Sequence, residues 1–384
     1  MPSYTIQQLR TDLAGRFPER KEVIDGSLAA VLAGEHVLLL GPPGTAKSAL
    51  VRAIAQAFGG RYFERLLTKF STPEELFGAI SLQALEQDRY ARVTAGKLPE
   101  AEFAFVDEIF KANSAILNSF LTIVNERLFQ NDAPQPMICP LVSMFGASNE
   151  LPEGKELEAL FDRFLLRFQV DYLLRPANLK AVITAKDPVT VPTMKMDDLR
   201  KAQATTESVV VTDETIDALL QIRDACKTDG IIASDRRWKK SIKLVQAAAF
   251  MAGENRTIPE DLIVLTDSLW REPKDRPKVA RLVGKLADPV SAQALEILDA
   301  ARETATKTAG LQSRDRKEYI SQAAQAVDDF KAQQDKLTEL AKGAGRRGAA
   351  TVQEAQAEIS ALHADMARTL SNGLGLHGPR GAKA

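Results

Sequence analysis

The stretch between residues 36 and 55 constrains the fold more than any other part of this sequence. An apolar run at residues 36–40 ends abruptly in glycine, and a helical pattern restarts at residue 49. The connection between them consists of Gly41, Pro42, Pro43, Gly44, Thr45, Ala46, Lys47 and Ser48. A buried strand, a glycine-rich loop and a helix in this order predict a phosphate-binding loop.

The residue types of this loop suit a nucleotide with Mg²⁺. Backbone N–H groups can surround an anion, the positive end of the following helix dipole adds to the field, and Lys47 supplies a mobile charge. The Ser48 hydroxyl can ligate Mg²⁺. The usual pattern has glycine where this chain has Ala46. A methyl group is compatible with the loop if Ala46 has right-handed helical geometry, which does not require glycine. An ordinary strand-to-helix turn is the alternative interpretation.

Polar residues follow two further apolar runs. Asp107 and Glu108 follow the apolar residues 103–106, and Asn149 follows the run 141–148. Open α/β sheets bind ligands at the carboxyl ends of their strands. We therefore expect Asp107 to hold Mg²⁺ directly or through water, Glu108 to polarise the attacking water, and Asn149 to lie beside the γ-phosphate. The alternatives are two solvated acids and a turn-forming asparagine.

Charge and composition argue against several functional classes. The net charge is −1 in 384 residues, so no global field favours nucleic acid or an anionic membrane. The two cysteines and three histidines are scattered and indicate neither a disulfide framework nor a metal site. No run approaches the ~18–20 apolar residues that span a bilayer, and the first residues lack the pattern of a signal peptide. We expect a cytoplasmic protein without membrane insertion.

The length predicts two or three domains, at ~100–200 residues each. Residues 1–190 alternate helical and strand patterns, which predicts an α/β nucleotide-binding domain; within it, residues 157–168 read as helical and then extended. A turn at residues 15–21 either flanks an adenine pocket or is a plain surface turn. After a linker at residues 189–193, residues 191–273 carry helical signals alone and predict an all-helical domain.

From residue 274 onward the sequence is rich in Ala, Gln, Lys, Glu and Asp. In two segments, mostly apolar residues recur at steps of three and four positions. They are Ile320, Ala323, Val327, Phe330, Gln334, Leu337 and Ala341 in the first segment, and Val352, Ala355, Ile359, Leu362, Met366 and Leu370 in the second. A glycine-rich stretch at 343–348 separates them. Residues 274–372 therefore predict an antiparallel helical hairpin whose stripe is covered by its own partner helix, and residues 373–384 predict a disordered tail.

The ordered set of these motifs is more specific than any single one and resembles an AAA+ ATPase. The chain resembles the MoxR family, specifically its RavA-like branch, in the segments G-P-P-G-T-A-K-S, S-T-P-E-E-L-F-G, V-D-E-I-F-K-A, A-S-N-E-L-P and L-F-D-R-F. The resemblance covers about residues 15–272. It implies an α/β P-loop AAA+ core with a parallel sheet, followed by an all-helical lid and then the C-terminal hairpin. The β-rich accessory domain of that branch has no counterpart in the sequence.

Site residues follow from the resemblance position by position. It implies that Lys47 and Ser48 bind phosphate and Mg²⁺, that Asp107 supports the metal, and that Glu108 activates water. Asn149 would be the first sensor of the γ-phosphate.

Two arginines complete the site that the resemblance implies. Arg163 resembles the arginine finger that reaches the neighbouring subunit's site, and Arg236 resembles the second sensor on the lid. Arg167 and Arg237 are close rivals for these roles, and a surface ion pair is the alternative for each arginine.

The resemblance implies a ring-forming ATPase, a homo-oligomer and by expectation a hexamer, that uses ATP and Mg²⁺ to remodel or activate a partner protein. Relatives are thought to act on von Willebrand factor A-domain proteins, so such a protein is the expected partner. Two other functions stay open. One is a nucleotide-gated scaffold with incidental turnover, and the other is a nucleic-acid motor, which the near-neutral charge disfavours.

Overall fold

A computed structural model describes residues 2–132, 135–184, 193–311 and 316–373. The chain forms two compact units, residues 1–279 and residues 280–384. The expected linker at 189–193 and the expected tail at 373–384 lie almost wholly outside the described residues.

The described residues form seven β-strands: β1 (His36–Leu40), β2 (Tyr62–Leu66), β3 (Phe103–Asp107), β4 (Leu128–Phe129), β5 (Met137–Ile138), β6 (Ser143–Ser148) and β7 (Phe164–Gln169). They also form α-helices: α1 (Pro2–Arg16), α2 (Lys21–Ala33), α3 (Lys47–Phe58), α4 (Pro73–Phe77), α5 (Leu82–Leu85), α6 (Ser114–Glu126), α7 (Lys155–Phe161), α8 (Pro176–Thr184), α9 (Met196–Glu207), α10 (Asp213–Thr228), α11 (Asp235–Met251), α12 (Thr266–Leu269), α13 (Arg276–Ala287), α14 (Pro289–Leu311), α15 (Arg316–Ala341) and α16 (Arg346–Gly373). None of the helices in these ranges is both long and apolar enough to cross a bilayer.

Five strands form one parallel sheet in the order β2-β3-β6-β1-β7. Because every pair in it is parallel, all its carboxyl ends lie at the same edge. Gly41, Glu108 and Asn149 directly follow β1, β3 and β6 and therefore meet at that edge. The short strands β4 and β5 pair separately as an antiparallel ladder.

Four strands of the sheet, β1, β3, β6 and β7, are buried almost along their whole length, whereas the edge strand β2 is mostly exposed. All five residues of β1 and all six of β6 are buried, as expected for parallel strands covered on both sides. Helix α2 packs so closely on β7 that a Cβ at Gly26 would lie 2.3 Å from the Phe168 ring. The ring of Phe58 in α3 stacks on Phe103 of β3 at 5.7 Å. This packing gives the carboxyl edge a rigid base.

Helix α11 begins at a side-chain cap. The Ser234 hydroxyl accepts a hydrogen bond from the Arg237 N–H at 3.3 Å, which satisfies one of the free donors of a helix start. Arg236 and Arg237 consequently lie in the first turn of α11, where α11 meets β7 and its flanking residues.

The second unit is a bundle of three helices. The Gln334 amide donates a hydrogen bond to the Ser360 hydroxyl, and the Gln356 amide donates one to the Thr338 hydroxyl. The partner residue number falls as the position along α15 rises, so α15 and α16 run antiparallel as the predicted hairpin. Helix α14 packs against both and contributes Leu298 to the shared core, a residue only 5% exposed. The prediction that the hairpin covers its own apolar stripe is therefore wrong, because a third helix completes the core.

Candidate functional site

The glycine-rich loop starts in a narrow space between the ends of two strands. Gly41 N–H donates to the Ser148 carbonyl at 3.0 Å, and Val170 N–H donates to the Leu40 carbonyl at 2.7 Å. A Cβ at Gly41 would lie 2.2 Å from the Val170 carbonyl oxygen, and its φ is 148°. Only glycine fits a position that is both this tight and in this backbone region.

Lys47 closes the loop and lies near two carboxylates. Its ammonium donates to the carbonyls of Gly41 at 2.8 Å and Pro42 at 2.7 Å. Burial lowers the pKa of Lys47, while the negative charges of Asp107 and Glu108 act in the opposite direction. The structure thus brings the lysine of the loop and the acidic pair at the end of β3 to one edge of the sheet, although Lys47 and Asp107 are 60 positions apart (107 − 47) in the chain.

Ala46 departs from the geometry that would make it compatible with the loop. Its φ is 65° and its ψ is 23°, in the left-handed region. The prediction that Ala46 has right-handed helical geometry is therefore wrong. The chain reverses at this residue, and α3 takes helical geometry only from Lys47. A side chain in the left-handed region costs about 1–2 kcal/mol relative to the right-handed one. The loop therefore stores strain at the position where the usual pattern has glycine.

Asp107 and Glu108 lie in a second sharp reversal. Asp107 ends β3, and its carboxylate accepts a hydrogen bond from the Glu108 N–H at 3.0 Å. Glu108 has a φ of 52°, which is uncommon for a residue with a side chain. Its carboxylate lies 3.2 Å from the ammonium of Lys111. Both acids remain partly exposed, so both can be reached by a ligand.

A cavity of about 350 Å³ opens beside the loop. It is lined by Leu40, Gly41, Pro42, Pro43, Asn149, Glu150, Leu151, Gln169, Asp171 and Pro273. Asn149 is exposed and lines this cavity together with residues of the loop. Gln169 and Asp171, at and beyond the end of β7, were missed, although the strand-end rule could have found them. Pro273 comes from the lid side, and no sequence signal indicates it.

The turn before α2 lies against the chain that leaves β7. Arg20 donates to the carbonyl of the cavity-lining Asp171. Hydrogen bonds from Leu174 N–H and the Asn178 amide lower the pKa of Glu19 to about 2. The turn expected to flank an adenine pocket is therefore placed next to this cavity.

Arg163 and Arg167 have different environments. Within the described residues, Nε of Arg163 is buried without a hydrogen-bond partner, as is Nε of Arg167. The Arg163 side chain is 21% exposed, and its ion-pair partner is Asp162 at 4.0 Å. Arg167 is 3% exposed. It donates to the Trp270 carbonyl at 2.5 Å and lies over the Phe161 ring. Arg167 is part of the core, and Arg163 is not.

Arg236 and Arg237, the two arginines in the first turn of α11, also differ in burial. Arg237 is 3% exposed and donates to the carbonyls of Leu165 and Ser268, both at 2.9 Å. It fixes the first turn of α11 against β7. The Arg236 side chain is 40% exposed and pairs with Asp162 at 2.6 Å.

The acidic and hydroxyl groups fit a metal ion that arrives with phosphate. Within the described residues, no group of three or more His, Cys, Asp or Glu side chains could hold a metal ion. Mg²⁺ usually keeps several waters and binds one or two protein ligands plus substrate phosphates. Ser48 and Asp107 meet that smaller requirement.

Comparison with known proteins shows the family. Residues 4–217 match the profile of the "MoxR domain in the MoxR-vWA-beta-propeller ternary systems", and residues 214–283 match an AAA lid domain. An uncharacterized protein of Methanocaldococcus jannaschii is 42% identical over 294 residues, which are 76% of this chain and 78% of that protein. A second one from that organism is 40% identical over 76% of this chain and 77% of that protein.

More distant relatives agree with this result. The chaperone MoxR1 of Mycobacterium tuberculosis is 26% identical over 70% of this chain and 74% of that protein. The crystal structure of a proposed ATPase from Cytophaga hutchinsonii aligns with a TM-score of 0.60 at 16% identity, over 74% of this chain and 94% of that one. This likeness confirms the predicted fold, an α/β AAA+ core with a parallel sheet and a helical lid. The chain belongs to the MoxR family of AAA+ ATPases.

Proposed function

We propose that this protein binds ATP with Mg²⁺ at the carboxyl edge of its sheet and hydrolyses the γ-phosphate. The observation that carries the proposal is geometric: the glycine-rich loop directly follows β1, and the acidic pair Asp107 and Glu108 lies at the end of β3, at the same edge of the parallel sheet. A mobile cation and two carboxylates beside a glycine-rich loop are the groups that phosphoryl transfer to water requires.

Each residue of the site has a separate task in this mechanism. Lys47 exchanges the loop carbonyls that it now contacts for phosphate oxygens. Ser48 and Asp107 would hold Mg²⁺, and the bound ion would supply positive charge that offsets the charge of the phosphates. Glu108 orients the attacking water and accepts its proton, and Asn149 donates to the γ-phosphate or that water. The loop N–H groups and the start of α3 add fixed positive potential.

We further propose a homo-oligomeric ring, a hexamer, in which sites are completed between subunits. Among the described residues the Arg163 side chain is 21% exposed and forms one ion pair, with Asp162 at 4.0 Å, which supports its role as the finger in the neighbouring site. The exposure of Arg236 supports its role as second sensor. The buried contacts of Arg167 and Arg237 leave neither guanidinium free for nucleotide.

We propose a von Willebrand factor A-domain protein as the partner that this ATPase remodels or activates. The matching profile describes MoxR domains of systems that also contain vWA and β-propeller components, and one relative is named a chaperone. Membership of the RavA-like branch stays a prediction, as does a cytoplasmic location.

Two substitutions test the hydrolytic site. Glu108→Gln should bind ATP as the wild type does but hydrolyse it about 10²–10⁴-fold more slowly, because general-base catalysis typically contributes that much. Lys47→Ala should weaken ATP binding itself. Asp328→Asn, which neutralises an exposed acid of the second unit, is the matched control. Nucleotide affinity is measured by calorimetry and turnover by phosphate release. Equal loss of affinity in both site variants would show that Glu108 is misassigned.

A further inference from the structure

The carboxylate of Asp162 lies between two arginines that belong to different active sites in the proposed function. Its Oδ2 atom is 2.6 Å from Nη2 of Arg236 and 4.0 Å from Nη1 of Arg163. Its Oδ1 atom is 3.2 Å from Nη2 of Arg237. One oxygen atom therefore faces both the finger and the second sensor.

The environment of Asp162 favours its ionised form. Burial raises the pKa of Asp162, but the hydrogen bond from Arg236 and the charge of Arg237 outweigh it, so the pKa lies below its ordinary value. The Asp162 side chain is 35% exposed, which leaves room for its partners to exchange. The carboxylate is thus a permanent negative charge at physiological pH.

Arg236 can leave Asp162 for another hydrogen-bond partner only by a movement of its side chain. Its backbone is fixed by the neighbouring Arg237, which donates to carbonyls of Leu165 and Ser268. In the described part of the chain, Arg236 is not among the residues that line the cavity. The pair with Asp162 therefore competes with any contact between Arg236 and nucleotide.

We propose that Asp162 is a positioning residue that holds Arg236 back from the nucleotide of its own subunit and couples this hold to Arg163. The inference rests on the proposed function, since it takes Arg163 to act in the neighbouring site and Arg236 in its own. When Arg163 moves to the neighbour's γ-phosphate, one cation leaves the surroundings of Asp162. Arg236 is then held more strongly beside Asp162, because the like charge of Arg163 no longer repels it.

The coupling has a definite sign. ATP in the neighbouring site engages Arg163, strengthens the Asp162–Arg236 pair and weakens ATP binding in the subunit that supplied Arg163. By linkage the effect is reciprocal. Adjacent sites should consequently bind ATP with negative cooperativity.

Replacement of Asp162 by asparagine tests the coupling. Asn keeps the size and one oxygen acceptor but removes the charge that faces Arg236 and Arg163, and also Arg237 and Arg167. Steady-state hydrolysis is measured against ATP concentration for the full-length protein. The wild type should show a Hill coefficient below one. Asp162→Asn should show a coefficient of one and a KM lowered about fivefold, a size typical of allosteric coupling, with kcat changed less than about twofold.

The matched control is Glu158→Gln. Glu158 also lies at this end of the first unit, in α7, and pairs with another arginine of the lid side, Arg271, at 2.9 Å. It contacts neither Arg163 nor Arg236 among the ion pairs of the described residues. Its substitution should change neither KM nor the Hill coefficient, so a general effect of lost surface charge would be recognised.

A binding measurement separates the two halves of the proposal. At protein concentrations where the chain is monomeric, Asp162→Asn should bind a fluorescent non-hydrolysable ATP analogue more tightly than the wild type. In an Arg236→Ala background the same substitution should have no effect on affinity. Arg236→Ala alone should abolish the cooperativity, which keeps the proposal testable if Asp162→Asn folds poorly.

Weaker binding by Asp162→Asn would overturn the proposal, since it would mean that Asp162 presents Arg236 to the nucleotide. An unchanged effect in the Arg236→Ala background would overturn it as well. If the wild type and Glu158→Gln neither bind nor hydrolyse ATP, the proposed function itself fails. If the wild type and Glu158→Gln bind and hydrolyse ATP and Asp162→Asn has the same KM and Hill coefficient as they have, the coupling alone fails.

Discussion

The guanidinium carbon of Arg167 lies 3.9 Å from the centroid of the Phe161 ring. The side chain is 3% exposed and also donates to the Trp270 carbonyl at 2.5 Å. A buried cation over an aromatic face with a carbonyl acceptor contributes to stability through packing and charge together. Arg163, four positions earlier, has none of these contacts within the described residues.

We expect Arg163→Ala and Arg167→Ala to fail in different ways. Arg167→Ala should lower the free energy of unfolding by about 2–4 kcal/mol, because it leaves a cavity and unpaired carbonyls. Arg163→Ala should leave stability within ~0.5 kcal/mol of the wild type. It should bind ATP but lose about 10³-fold or more in turnover, as fingers supplied in trans do. Thermal unfolding and phosphate release measure the two effects.

A mixing experiment tests whether Arg163 acts between subunits. Arg163→Ala subunits retain an intact phosphate loop, and Lys47→Ala subunits retain an intact finger. A ring that contains both kinds forms some junctions with a complete site, so mixing should restore part of the turnover. If rings proven to be mixed show no rescue, Arg163 acts within its own subunit or has no catalytic role.

Substitution by glycine should change the free energy of unfolding in opposite directions at Ala46 and Ala49. Ala46→Gly relieves a left-handed φ of 65° and should stabilise the protein by up to about 1 kcal/mol. Ala49 is exposed in the regular helix α3, so Ala49→Gly should destabilise it by about 1 kcal/mol. Urea unfolding, followed through tryptophan fluorescence, reports both. Destabilisation of equal size at the two positions would contradict the strain assigned to Ala46.

His36 should make the first unit less stable in mild acid. Its Nε2 atom lies 3.1 Å from the Val124 carbonyl, and Met144 N–H donates to Nδ1 at 2.9 Å. Burial and the nearby Arg127 charge lower the pKa of His36 well below its ordinary value. Above pH ~6.5 the imidazole is neutral in both states. Below it, only the unfolded state takes up the proton, so the free energy of unfolding falls by up to ~1.4 kcal/mol per pH unit.

The chain suits a measurement of this pH dependence. Both tryptophans, Trp238 and Trp270, lie in the first unit and are buried, so their fluorescence follows that unit alone. His36→Gln should reduce the slope of stability between pH 6.5 and pH 5. His363→Gln, in the second unit, should not. An identical slope for the wild type and His36→Gln would disprove the assignment.

Removal of the three-helix bundle tests whether the first unit works alone. A cut after Pro273, the boundary suggested by the sequence, would remove Arg276, which pairs with Asp267 at 2.6 Å. It would also remove the buried Val279. A cut after Ala287 keeps α13 whole.

This truncated protein should retain its tryptophan fluorescence transition and its basal turnover while it loses partner binding. Size-exclusion chromatography gives the oligomeric state of the same sample. Loss of oligomerisation would show that the bundle steadies the ring and does not serve as a recognition arm.

The positions of Gly41, Glu108 and Asn149 at one edge of the sheet could be predicted because each directly follows a buried strand. Parallel strands bring such positions to one edge whatever the length of the connections, so local patterns were sufficient. The same rule applied to β7 would have found Gln169 and Asp171.

The left-handed geometry of Ala46 could also have been predicted from the sequence. The glycine that usually occupies this position is itself the sign of a left-handed residue, and the alanine adopts that geometry at a cost. The choice between Arg163 and Arg167 had no such sign, because their difference lies in burial by Phe161 and Trp270, and the latter is distant in the chain. Helix α14 was missed as a third core helix since only one of its five buried positions, Leu298, carries a large apolar side chain, which marks an apolar face weakly.

The hydrogen bonds of Arg237 have a consequence for the speed of events at the site. They fix the backbone at the start of α11, so Arg236 exchanges partners by side-chain rotation, which takes picoseconds to nanoseconds for exposed residues. Collective domain closure takes microseconds to milliseconds. In the proposed ring, Arg236 as second sensor should therefore follow the state of the neighbouring subunit almost instantaneously, and we expect the slow steps of a turnover cycle to be movements of whole subunits.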